Sequence, residues 1–127
     1  MEINQSVLEA ILDAYAYEIV FVDLNHIVRY MNKIAKERYK ERIEVGQTLF
    51  NCHNENSKKK IEEFLLRAKE GEDEMFQVVN PKTGEREFFV PVKDKNGSLM
   101  GYFERHEVHW DTCCANESVY EYWKKRK

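Results

Sequence analysis

Residues 49–56 read Leu-Phe-Asn-Cys-His-Asn-Glu-Asn, and the adjacent Cys52 and His53 are the side chains best suited to chemistry. A neutral imidazole or a thiolate can ligate heme iron or a soft metal. His53 is the expected ligand and Cys52 its neighbour or redox modulator, because a free thiol must first lose a proton at a pKa of about 8.5. Lys58, Lys59 and Lys60 follow at the start of an amphipathic segment. A helix N-terminus and basic side chains together could hold heme propionates or another anion. Ile61, Phe64, Leu65, Phe89 and Val90 are apolar side chains available to line such a pocket. The structural alternative packs Cys52 as a small hydrophobe, places His53 in a turn and leaves the lysines on a solvated face.

A second cluster holds His106, His109, Cys113 and Cys114. Two histidines and two cysteines can fill a tetrahedral zinc site, but closed sites separate their paired cysteines. In a strand, His106 and His109 also point to opposite faces. A strand end and a loop is the better reading. No G-x-x-x-x-G-K-[ST], G-x-G-x-x-G, G-x-S-x-G or H-E-x-x-H occurs. Side chains adjacent in sequence seldom face each other, so Cys52 and His53 make a poor nucleophile–base dyad. No catalytic residue is assigned, and a non-enzyme is expected.

Composition bounds what can surround these residues. A chain of 127 residues supports one core and is too short for two ordinary domains. With 43% hydrophobic and 34% charged residues it reads as a globular protein with a well-charged surface. The net charge of −3 leaves no footprint for nucleic acid. No apolar run approaches the ~18 residues of a membrane span. The start, MEINQSVLEA, lacks the basic and apolar regions of a signal peptide, so a cytoplasmic location is expected. Three cysteines, two of them adjacent, argue for reduced thiols.

The elements that must position the site follow from periodicity and turn chemistry. Val7, Leu8, Ile11 and Ala14 have helical spacing, with Ser6 and Glu9 as a capping box. Residues 17–23 and 26–31 read as two strands joined by a turn at 23–26. Asn32 should cap a short helix. Residues 57–70 form the clearest helix, capped by Ser57 and ended by Gly71, with Ile61, Phe64, Leu65 and Ala68 on one stripe. Three strands, 74–80, 86–93 and 99–110, are linked by NPKTGE and DKNGS turns. Pro91 should bulge or bend its strand. Residues 112–127 form a tail or short helix carrying Val119, Tyr120 and Trp123. The sum is an α+β fold: a five-stranded antiparallel sheet with helices on one face.

This order resembles a PAS domain. The marks are IVFVDLNHIVRYMN, similar to the family's opening hairpin and Asn-capped helix, VGQTLF, similar to its short central helix, and VKDKNGSLMGYFERHEV, similar to its closing hairpin. Within the family, the Cys-His after Leu-Phe resembles PAS domains attached to hemerythrin-like domains, though Asn54 stands where Pro often follows there. The flavin-binding LOV type carries NCRFLQ, and NCHNEN shares only its first two residues. The resemblance implies strand order 2-1-5-4-3 and a pocket between sheet and helices. It implies a flanking helix at 1–15, a sensor domain at 16–111 and a tail at 112–127. It also implies a sensor that takes a small molecule or heme and signals through a partner chain or a homodimer, with Ile3, Val7 and Ile11 at the dimer interface. A ligand-free interaction scaffold is the alternative. The chain is expected to stand alone, without membrane contact and with an unidentified signalling protein as partner.

Overall fold

The structure, a computed structural model, describes residues 1–79 and 85–108, with side chains described except at 52, 75–78, 85 and 106–108. Its elements are α1 (Gln5–Ala14), β1 (Val20–Asp23), β2 (Val28–Met31), α2 (Lys33–Arg38), a 3-10 turn (Leu49–Cys52), α3 (Glu55–Lys69), β3 (Met75–Val79), β4 (Glu85–Lys93) and β5 (Leu99–Val108). The architecture is α+β, and the sheet runs β2-β1-β5-β4-β3 with every neighbouring pair antiparallel. The NPKTGE turn and the tail at 112–127 lie outside the described residues, as do the side chain of His106 and all of His109, Cys113 and Cys114.

Asparagines, not serines, start the helices. Asn4 Oδ1 accepts the Val7 amide at 3.1 Å, so α1 begins ahead of the expected Ser6 cap. Asn54 Oδ1 accepts the Ser57 amide at 2.9 Å, so α3 gains two residues over the expected 57–70 start. Both fit the high rank of Asn at N-caps. α3 closes at Gly71 with φ 105°, a backbone position that a Cβ would strain.

Both strands of the first hairpin are shorter than expected, for local reasons. Asp23 Oδ1 accepts the amides of Asn25 and Ile27, and His26 sits at φ 64°, so β2 cannot begin before this turn is complete. At the other end, residues 17–19 are held by a side chain. Asn32 Oδ1 accepts the Ile19 amide at 2.9 Å and the Ala35 amide at 3.1 Å. Its Nδ2 donates to Leu12 O at 2.8 Å and to Tyr17 O at 3.0 Å. One fully buried side chain thus caps α2 and ties down the end of α1 and the approach to β1.

The connection from α2 to α3 runs back along β2. Val28 N donates to Gln47 O, Gly46 N to Val28 O and Leu49 N to His26 O. These bonds cover what would otherwise be an open sheet edge. Pro91 lies beyond the last β4–β3 pair, Met75↔Phe89, and the β4–β5 register shifts next to it at Val92/Lys93. In β5, a Cβ on Gly101 would collide with Val22 O and the Phe21 ring, so the β1–β5 pairing needs glycine there.

The core lies between sheet and helices. Phe64 of α3 stacks on Phe89 of β4 at 5.1 Å and meets Tyr102 of β5 edge-on at 5.6 Å, while Ile61 and Ala68 extend the same helix face. Such aromatic pairs add to area burial and orient α3 on the sheet.

Replacing Asn32 should be severe. Asn32→Ala leaves the Ile19 and Ala35 amides without their side-chain acceptor and takes one bond each from the Leu12 and Tyr17 carbonyls, and each buried unsatisfied group costs about 1–3 kcal/mol. Urea unfolding should report a loss of at least ~3 kcal/mol, and Asn32→Asp, which lacks the amide donor, should lose stability as well. A loss under ~1 kcal/mol for Asn32→Ala would show that the four bonds do not hold these segments together.

Candidate functional site

The space between sheet and helices is not completely filled. A cavity of about 360 Å³ opens between β1, β4 and β5 on one side and α2, the following connection and the start of α3 on the other. Strand alternation decides which sheet residues face it. Val20 and Val22 face it from β1, Glu87 from β4, and Tyr102 and Glu104 from β5. Arg38 and Tyr39 close it from α2, Arg42, Ile43 and Leu49 from the connection, and His53 and Ser57 from the approach to α3.

Its most deeply buried charge is Glu18, only 3% exposed. Arg38 Nη1 donates to Glu18 Oε2 at 2.9 Å and the Tyr39 hydroxyl donates to Oε1 at 3.3 Å. A buried carboxylate needs such partners. The Arg42 guanidinium lies 5.6 Å above the Tyr39 ring and its Nη2 donates to Arg38 O at 3.3 Å, so α2 and the connection present their cations together. Burial first, then the nearby Glu18 and Glu104 carboxylates, push the Tyr39 phenol up. Burial, then Glu104 and Asp23, does the same to Tyr102. Both phenols therefore stay protonated near neutral pH. Burial holds the His53 imidazole below its ordinary value, so it is neutral at pH 7.

Of the described side chains expected at a cofactor site, His53 is the one that reaches the cavity. Ile61, Phe64, Leu65 and Phe89 are buried in the core beside it and do not line it. Val90 pairs with Phe103 on the opposite sheet face, because neighbouring strand residues cannot share a side. Lys58 lies 5.1 Å above the Phe50 ring, Lys59 and Lys60 face solvent, and none of the three lines the cavity. The Cys52 side chain lies outside the described residues. Among the described residues, no group of three His, Cys, Asp or Glu side chains could hold a metal ion.

Sequence reading missed Glu18, Arg38, Tyr39, Glu87 and Glu104. The signal for Glu18 was present: a charge inside the apolar run YEIVFV must be paired if buried. For Glu87 and Glu104 the alternation with Phe89 and Tyr102 was legible, but not which face was inward.

Tyr102 also connects the cavity to the first turn. Its hydroxyl is 2.7 Å from His26 Nδ1, and Phe50 stacks against the imidazole at 4.4 Å. Burial is the largest influence on His26 and lowers its pKa. Glu62 and Asp23 oppose that effect, while Lys69 and Lys58 add to it.

Both imidazoles are harder to protonate folded than unfolded. Between their lowered folded values and the ordinary 6.5, the unfolded chain binds more protons, so stability rises with pH there and is fully present above 6.5. Denaturant midpoints should therefore fall as pH drops from 7.5 to 5. The double substitution His26→Gln, His53→Gln should flatten that slope; an unchanged slope would assign it to other groups.

The fold has known counterparts. A C-terminal domain from Streptococcus mutans superposes with a TM-score of 0.67 at 21% identity, over 85% of this chain and 90% of that one. The PAS domain of a Colwellia psychrerythraea protein gives 0.60 at 16% identity, over 82% and 95%. A sensory box sensor histidine kinase from Vibrio cholerae gives 0.56 at 14% identity, over 83% and 91%. At these identities the likeness is one of fold. No curated protein sequence matches the chain. The profile of the PAS domain family, however, matches residues 8–105, most of the chain. With the helix-covered antiparallel sheet and the cavity at its centre, that match makes this chain a member of the PAS domain family.

Proposed function

We propose that this PAS domain is a non-catalytic sensor that takes a small ligand in the cavity between sheet and helices and passes its state on through protein contacts. The observation that carries the reading is the cavity itself. Its walls come from three strands and three helical or connecting segments, so an occupant touches every layer of the fold at once. A ligand that fits one arrangement of those layers better than another shifts the balance between them. Similarity to a protein described as a sensory box sensor histidine kinase fits a signalling role.

The walls favour a small polar molecule over heme. Glu18, Glu87 and Glu104 would repel propionates, and the apolar side chains expected to cover the porphyrin are committed to the core. His53 remains the group through which heme would bind. Small molecules released from the purified protein by denaturation, identified by mass spectrometry, test the ligand reading. A Ser57→Trp variant, which fills the cavity from α3, should release none. Added hemin should give no Soret shift in the parent; a shift abolished by His53→Ala would restore the heme reading. If the parent releases nothing and no small-molecule library raises its melting midpoint, the domain is a ligand-free scaffold.

Output through a homodimer is supported by α1. None of its residues is buried, and Ile3 and Ile11 are 62% and 57% exposed, with Leu8 beside them. Val7, on the same stripe, is half-buried. A second copy of the chain, presenting the same stripe, would cover it. Light scattering should show a dimer in the parent and a monomer in Ile3→Asp, Ile11→Asp, since an apolar seam does not accept unpaired charge. A monomeric parent removes α1 as the dimer contact.

A further inference from the structure

The charged groups of the cavity wall are already engaged. Glu18 is held by Arg38 and by the Tyr39 hydroxyl. Arg42 is exposed, lies over the Tyr39 ring and donates to Arg38 O. Glu87 and Glu104 each have an interaction partner as well. The phenol hydroxyls are also taken, that of Tyr39 by Glu18 and that of Tyr102 by His26. A charged occupant would have to disrupt one of these contacts or leave water without a partner for its own charge, and both are costly. An uncharged occupant leaves every contact in place.

The rest of the wall offers two kinds of surface. Val20, Val22, Ile43 and Leu49 supply hydrocarbon. His53 and Ser57 supply hydrogen bonds. Burial keeps the imidazole neutral at pH 7, with one donor and one acceptor nitrogen, and the hydroxyl can serve either way. The Asn54 cap uses the Ser57 amide and leaves its hydroxyl. Among the described residues, neither the imidazole nor that hydroxyl has a hydrogen-bond partner. Both stand where the chain enters α3, so the polar part of an occupant is drawn to that side. The volume of about 360 Å³ is near the lower end of the roughly 300–1,000 Å³ of small-molecule sites, so the hydrocarbon part is short.

We propose that the cavity takes a short, uncharged organic molecule whose hydroxyl or carbonyl oxygen is read by His53 and Ser57, with its hydrocarbon against Val20, Val22 and Ile43. A hydroxyl would donate to one imidazole nitrogen and accept from Ser57, whereas a carbonyl would accept from both groups. The assignment rests on the reading of the cavity as a ligand site and names the ligand class.

A matched set of probes tests it: isoamyl alcohol, methyl isobutyl ketone, isovalerate and isoamylamine, which share an isobutyl group and differ in charge. Thermal unfolding and calorimetric titration of the full chain at pH 7.5 read the result. The alcohol or the ketone should bind saturably and raise the melting midpoint by on the order of a few °C. The anion and the ammonium compound should not. His53→Phe, which keeps a ring without its nitrogens, and Ser57→Ala should each weaken binding about fivefold. Ser57→Trp should abolish it. The comparison of probes on the parent decides the class even if a variant fails to fold. Binding of isovalerate or isoamylamine as tight as that of the uncharged probes overturns the assignment and leaves the sensor reading standing. Binding unaltered in both His53→Phe and Ser57→Ala overturns the role of those two groups as readers. Failure of all four probes overturns the assignment too; a molecule released from the denatured protein would then keep the cavity as a ligand site of another class, and release of nothing would remove both readings.

Discussion

Asn32 holds the N-terminal half of this domain together. Four hydrogen bonds from one buried amide join the last turn of α1, the chain entering β1, the end of β2 and the first turn of α2. Each of those segments ends in backbone groups that regular structure leaves unpaired. An amide is suited to the position because it offers both a donor and an acceptor; a carboxylate or a hydroxyl cannot serve two carbonyls and two amides together. The cavity depends on this junction. Glu18 lies between Tyr17 and Ile19, both held by Asn32, and Arg38 and Tyr39 stand at the end of the helix that Asn32 caps. The ion pair on the cavity wall is therefore aligned from one point.

The C-terminal half is organised by packing. Phe64, Phe89 and Tyr102 form a contiguous aromatic cluster that seats α3 on β4 and β5. Tyr102 belongs to both halves. Its ring closes the core, its hydroxyl meets His26, and one side lines the cavity. A change in the cavity thus has a direct physical route to the first turn, through a buried aromatic side chain and one hydrogen bond. The turn is in contact with the rest of the fold at its other side, where Phe50 stacks on His26 and Lys58 lies above Phe50.

Much of the fold was legible in local chemistry. The stripe Ile61, Phe64, Leu65 and Ala68 marks a helix with one buried face, and all four are buried. Asp23 and Gly97 mark turns whose geometry needs those residue types. The Asn32 cap was legible because the side chain acts within its own helix, on the Ala35 amide. Its bonds to Leu12, Tyr17 and Ile19 were not, because they join residues 13 to 20 positions apart. The caps of α1 and α3 were misplaced because two polar residues compete within one turn and only the backbone path chooses between Asn and Ser.

The site divides the same way. Taken alone, the sequence determined a helix-covered antiparallel sheet and drew attention to His53, since periodicity and turn residues act over a few positions. It could not separate the apolar side chains that fill the core from those that border a cavity. Ile61 and Phe89 look in sequence just like Val20 and Ile43, yet the first pair packs against other side chains and the second borders open space. That difference is set by where α2 and the connection to α3 come to rest above the sheet. It also brings Glu18, Glu87 and Glu104 to one wall from segments far apart in the chain. Charge is written residue by residue, but the field in a cavity is a sum over distance, and only the tertiary structure supplies the distances.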